Sequence, residues 1–198
     1  MDLENTRIGE VVEATTTSFI TQSYELWQLP SLGSLIKTGN DAEEYYGIVC
    51  RAVTQGVEPG RRAVARGKDS PNTEAIFREN PQLERLLKSE FTALVVGFKD
   101  EDSCRQYLPP RPARIHTFVH SCTANEIQKF SAKFDFLSLI LRAEIEIPPE
   151  ELIAATLREM ATTKSDRNLF LSQAGRELAR LMSKDYGRLR IILEGIRP

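Results

Sequence analysis

Short β-prone runs, one of them with alternating faces, occupy about the first 120 residues apart from a stretch near 61–90, and apolar positions spaced by three to four residues follow. Ile8-Gly9-Glu10-Val11-Val12-Glu13 is short and rich in β-branched residues, and predicts a first strand. Thr15, Thr16, Thr17 and Ser18 follow it. Residues 19–27 then predict a second strand, with Ile20, Tyr24 and Leu26 on one face and Phe19, Thr21, Ser23 and Glu25 on the other. Pro30 and Gly33 break that run. Residues 33–38 predict a third strand, and Gly39-Asn40-Asp41 has turn chemistry. Residues 45–53 predict a fourth strand, apolar on both faces as a central or barrel strand would be.

Residues 61–90 change character. A basic stretch comes first, with Arg61, Arg62, Arg66 and Lys68. Ser70-Pro71 and Asn80-Pro81 each set a capping side chain before a proline suited to the first helical position. Leu83, Leu86 and Leu87 follow at helical spacing, so a short helical insertion between strands is expected. Thr92–Phe98 resumes strand, Asp100–Asp102 is an acidic turn, Pro109–Pro112 is extended, and Arg114–Val119 is expected as the last strand.

Thr123-Ala124-Asn125-Glu126 is a capping box. Ile127, Phe130, Phe134, Leu137 and Leu141 form an apolar helical stripe behind it. Pro148-Pro149 opens a second helix carrying Ile153, Leu157 and Met160. Asp166 caps a third, with Phe170, Ala174, Leu178, Leu181 and Met182, and Leu189, Ile192 and Ile196 mark a final short one. Strands and helices are thus segregated along the chain. That argues an α+β protein, with a small N-terminal β-barrel over 1–122 that carries a helical insertion, and an all-α part over 123–198.

The chain has 198 residues, 41% hydrophobic and 27% charged, enough for a packed core and against a disordered or disulfide-stapled chain. Its 26 Lys and Arg nearly balance 28 Asp and Glu, so no whole-molecule field drives it to nucleic acid or membrane. There is no apolar run of membrane-spanning length, and the acidic start Met1-Asp2-Leu3-Glu4 is unlike a signal peptide. Cys50, Cys104 and Cys122 are an odd set without CxxC spacing, which suits reduced thiols and a cytoplasmic setting.

The β-rich part resembles the HAS barrel, the N-terminal barrel shared by HerA-type DNA-processing ATPases and ATP-synthase ring subunits. The resemblance rests on Ile8-Gly9-Glu10-Val11-Val12, Leu32-Gly33-Ser34-Leu35-Ile36, Tyr46-Gly47-Ile48-Val49, Glu90–Gly97 and Leu108-Pro109-Pro110-Arg111-Pro112, in that order. It covers roughly the first 120 residues, and the helical tail has no counterpart in it. It implies a barrel that crowns a ring and mediates assembly. The expected partner is a protein, a HerA-like ATPase in particular, with a homo-oligomer as a further arrangement. The family's nucleotide chemistry does not carry over. No GxxxxGK[ST] loop is present: six residues separate Gly60 from Gly67-Lys68, and Asp69 follows where Ser or Thr should hold magnesium. No cofactor and no catalytic residue are expected, since neither G-x-S-x-G nor a carboxylate pair beside a nucleophile occurs.

Three further features invite chemistry. His116, His120 and Cys122 have metal-ligating side chains, but residues four apart on a strand lie about 13 Å apart, so no metal site is expected. Arg61, Arg62, Arg66 and Lys68 are candidates for contact with nucleic acid or a partner; Glu58 and Asp69 flank them, and a solvated loop is the plainer reading. Arg111 and Arg114, with Arg105 nearby, form a second basic set, and the two sets would matter together only on one face. Trp27, Tyr45 and Tyr46 are core residues by default, or partner contacts if exposed. Any apolar helical stripe left uncovered would be a docking surface.

Overall fold

The computed structural model describes residues 7–40, 43–58, 60, 62–100 and 103–197. Its β part is built from β1 (Arg7–Ala14), β2 (Ser18–Ser23), β3 (Leu35–Gly39), β4 (Glu44–Gly56), β5 (Leu87–Asp100), β6 (Ser103–Arg105) and β7 (Phe118–Ser121). All pairings are antiparallel. Six strands run in the order β2-β1-β7-β3-β4-β5, and the β2–β5 pairing closes them into a barrel. β6 is a short hairpin partner on the end of β5.

Strand alternation gives the barrel wall two apolar faces. Val11, Phe19, Ile36, Val49, Phe91, Ala93, Val95 and Val119 point inward and fill the lumen. Gly47 makes room for this packing: a Cβ there would lie 2.8 Å from both Ala93 Cβ and the Phe19 ring. Leu35, Tyr46, Ile48, Cys50, Leu94, Val96 and Cys122 point outward. They join one continuous apolar cluster with the helices α3 (Ala124–Phe130), α4 (Phe136–Leu141), α5 (Pro149–Ala161), α6 (Arg167–Leu181) and α7 (Tyr186–Gly195), of which α6 and α7 pack on α5. α5 is the middle of it, with Leu152, Ile153, Ala154, Ala155, Thr156, Leu157 and Met160 all buried. Such burial around most of a helix is expected where neighbours lie on several sides.

The capping box at Thr123 forms: the hydroxyl accepts from Glu126 N, and the Glu126 carboxylate accepts from Thr123 N. Asp166 caps α6 by accepting from Leu169 N. The apolar stripe expected as one helix from Ile127 to Leu141 is instead two helices, broken between Ser131 and Asp135. At that break Gln106 donates to Phe130 O at 2.6 Å and accepts from Phe136 N at 3.2 Å, so the interrupted backbone groups find partners on the barrel side.

Several strand limits differ from the sequence reading, three of them where the chain turns or a helix was expected. β2 stops at Ser23, because Trp27 takes a left-handed φ of 67° in the turn that follows. The last strand is Phe118–Ser121 rather than 114–119, because His116 also turns with φ 67°. β5 begins at Leu87, which the spacing of Leu83, Leu86 and Leu87 assigned to a helix. The insertion does hold two short helices, α1 (Thr73–Glu79) and α2 (Gln82–Arg85). The α1 cap is Asn72, accepting from Ala75 N at 2.8 Å, and not Ser70; Pro81 precedes α2, without a side-chain cap from Asn80.

β4 and β5 outrun the rest of the barrel. Past Val49, β4 has no described partner on its β3 side, while it stays paired with β5 as far as Gly56↔Leu87. β5 stays paired with β2 as far as Glu90, so Thr54–Gly56 and Leu87–Ser89 project as a short two-stranded ribbon, and α1 and α2 sit in the loop at its tip.

Candidate partner-binding groove

The ribbon tip carries an apolar groove. Val57 continues β4, and its N–H donates to Leu86 O at 2.9 Å, which closes the base of the loop. A cavity of about 330 Å³ lies there, with Val57, Ala63, Val64, Ile76, Phe77, Leu83, Leu86 and Leu87 among its walls. Val57, Val64 and Leu86 are 48%, 76% and 47% exposed, so water covers a large part of this surface. Scattered exposed aliphatics are ordinary, whereas a contiguous set in a concavity marks a contact site.

The groove is anchored to the barrel. Phe77 of α1 meets the Trp27 ring edge-on, with centroids 4.9 Å apart. Trp27 N donates to Ser89 Oγ of β5 at 2.9 Å, and Ser89 Oγ also bonds Thr54 Oγ1 of β4 at 2.8 Å. The left-handed backbone at Trp27 is uncommon for a bulky residue, and these contacts hold it in place. Trp27 is half exposed; Tyr45 and Tyr46 are buried in the barrel wall.

Basic side chains rim the groove. Arg62, Arg66 and Arg85 line it, against one acid, Glu58. None of the three arginines makes an ion pair with a described residue, and all three are exposed. Lys88, one residue from the ribbon's tip, is already paired with Glu90 at 2.7 Å. Lys68 is exposed on the same loop, and Arg61 lies outside the described residues.

The second basic set is elsewhere. Arg111 and Arg114 are exposed, and both lie close enough to the Tyr45 phenol to oppose its upward shift, which burial and the Glu43 carboxylate drive. Arg105 pairs in register with Phe98, which faces Tyr45 across the β4–β5 ladder. Tyr45 and the groove residue Gly56 are at opposite ends of β4, roughly 35 Å apart along the strand. The structure therefore does not bring the two basic sets together.

The His and Cys candidates are also dispersed. His116 Nδ1 bonds Glu10 at 3.2 Å in the turn before β7. His120 sits beside Lys37 in the β3–β7 register, and burial and the Lys37 and Arg7 cations push its imidazole below the ordinary value. Cys122 is buried under the helices, and burial pushes its thiol up. Cys50, Cys104 and Cys122 are all free.

A second and larger cleft, about 750 Å³, lies between the outer barrel wall and the chain after α4. Arg51 and Glu146 in its lining pair with each other at 3.0 Å. On the helices, Leu169, Tyr186 and Ile191 are exposed, and none of them lines the groove. Among the described residues, no helix is long and apolar enough to cross a membrane.

Arg62 and Arg66 were visible in the sequence as part of the basic stretch, but Arg85 and the apolar lining were not. The floor gathers residues from the end of β4, the loop, both short helices and the start of β5, and no local periodicity links them. No protein-family model and no curated protein matches the chain.

Proposed function

We propose that this chain is a non-enzymatic adaptor: a HAS-type barrel with a helical extension that binds a separately encoded HerA-like ATPase or its DNA-processing assembly. The observation that supports this best is the groove at the ribbon tip, exposed, apolar and lined by arginines that have no ion pair to a described residue. The lumen is filled by Phe19, Phe91 and aliphatic side chains, so the barrel offers partners its outer surface and its projecting ribbon. A protein that works by holding another needs such a surface, with apolar area for affinity and charge for orientation.

The reading is tested by mixing the purified chain with a HerA-type ATPase and running the mixture by size exclusion at micromolar concentration. Co-elution is expected, and separate migration overturns it. A nucleic-acid-binding module is the rival reading, favoured by the three arginines on one rim. It requires affinity that falls steeply with salt and is lost in the Arg61→Ala/Arg62→Ala variant. A flat salt response, or no binding near about 50 mM salt, removes it.

A further inference from the structure

We infer that the groove at the ribbon tip takes an acidic amphipathic segment of a protein partner, with apolar side chains on the groove floor and carboxylates against Arg62, Arg66 and Arg85. The inference rests on the adaptor reading and names the chemistry of what that adaptor holds.

Charge complementarity identifies the occupant. Three guanidiniums with no ion pair to a described residue stand around the floor, and the single acid in the lining, Glu58, already has an interaction of its own. A basic or neutral segment would leave those cations facing nothing or facing like charge. Guanidinium groups present fixed forks of donors that match a carboxylate in a two-point contact. The arginines and the apolar groups line the same cavity, so one concave surface offers both the charge and the apolar area that an amphipathic peptide would use.

The floor argues for a peptide over a nucleic-acid strand. Val57, Val64, Ile76, Leu83, Leu86 and Leu87 are aliphatic, and the one aromatic in the lining is Phe77, whose ring is engaged with Trp27. Single-stranded nucleic acid needs successive aromatic faces on which bases stack, and the floor provides none. Leu, Phe or Met side chains at helical spacing would fit a concavity of about 330 Å³.

The groove is also held ready. The Phe77–Trp27 contact, the Trp27–Ser89–Thr54 chain of hydrogen bonds and the Val57–Leu86 bond fix the insertion on the ribbon before anything binds. Fixing the site in advance lowers the ordering cost that a weakly charged contact would otherwise have to overcome.

The test uses the full chain and a phage-displayed random peptide library, with counter-selection on two variants, Val64→Asp and Arg62→Glu/Arg66→Glu/Arg85→Glu. These positions are exposed, and matched melting temperatures establish that the variants keep the fold. Peptides that combine Asp or Glu with large apolar residues at three- and four-residue spacing are expected to be enriched. Measured by fluorescence anisotropy, the best of them should bind the arginine-reversed variant about tenfold more weakly, and a version with Lys in place of Glu should recover part of that loss. Enrichment that the variants do not change, enrichment of basic peptides, or no enrichment overturns the inference. So does an oligothymidylate that binds more tightly than any selected peptide. An ATPase that co-elutes equally with the wild type and the reversed variant leaves the adaptor standing and removes the groove from it. Groove-dependent peptide binding without ATPase co-elution does the reverse.

Discussion

Lys37 of β3 and Glu126 of α3 form an ion pair that fastens the first helix after the barrel to the barrel wall. Lys37 also lies 3.3 Å from Glu44, whose other oxygen accepts from the Tyr46 hydroxyl at 2.6 Å. The Lys37 side chain is only 11% exposed, so the pair is shielded from most solvent screening.

Both partners are held in their charged forms. Burial works against the Glu126 carboxylate, but the bonds from Lys37 and from the Thr123 N–H and hydroxyl outweigh it and keep the carboxyl below its ordinary value. Burial also works against the Lys37 ammonium, and Glu126 and Glu44 outweigh it and raise it. The depressed carboxyl stabilises the fold above its unfolded value, about 4.3, and that contribution is lost as pH falls through the folded value. The raised ammonium stabilises fully below its unfolded value, about 10.4, and that contribution is lost as pH rises through the folded value. Glu126→Gln keeps a side chain that completes the cap but removes the charge. We expect it to lower stability by about 1–2 kcal/mol at neutral pH. The gap from wild type in denaturant titrations should close at both pH extremes; a gap constant from pH 3 to about pH 11 would refute this role.

Gly33 and Gly60 both have left-handed φ, 85° and 78°, but only one is crowded. A Cβ on Gly33 would lie 2.5 Å from Thr156 N of α5, whereas among the described residues nothing stands within 4 Å of one on Gly60. Gly60→Ala should cost about 1 kcal/mol, for backbone conformation alone. Gly33→Ala must also push α5 off the loop, and should cost about 3 kcal/mol or more. Thermal unfolding of the two variants checks the order, and equal melting temperatures would contradict the close approach.

Phe19 and Gly47 share one piece of the lumen. Phe19→Leu empties part of it and Gly47→Ala overfills it, each at a cost of about 1–3 kcal/mol. Because the added methyl group points at the ring that the first change removes, the double variant should lose less than the sum. A coupling near zero in a double-mutant cycle would mean that the wall relaxes independently at the two sites.

The thiols should differ in reactivity. Cys50 and Cys122 are buried, whereas Cys104 is an exposed residue whose sulfur is covered enough, and near enough to Glu44, to push its thiol up to about 11. Under native conditions only Cys104 should react with a disulfide reagent, slowly at neutral pH and about tenfold faster per pH unit up to its pKa. Rapid modification of all three at neutral pH without denaturant would contradict the burial.

Much of the barrel was legible because its walls are buried on one or both sides. The double-sided apolar character of residues 45–53 marked a wall strand, and it holds as far as Cys50: Tyr46, Ile48 and Cys50 face the helices and Val49 faces the lumen, whereas Ala52 is exposed and Val53 only half-buried. The reading failed where the chain bends. Trp27 and His116 have left-handed backbones that nothing in their side chains announces, and the ends of β2 and β7 depend on them. β6 was invisible, being a three-residue exposed strand defined only by its pairing with β5. The candidate site was half legible: charge shows in composition, but a floor assembled from several segments exists only after folding.

The overrun of β4 beyond β3 has a consequence for how the protein avoids sticking to itself. From Arg51 to Gly56 one side of that strand shows backbone with no described ladder partner, the kind of rail on which another chain can crystallise into fibrils. A register irregularity between Val49 and Arg51 begins the stretch, and Arg51 sets a charge at its start. Twist and charge at such a place work as gatekeepers against runaway self-association.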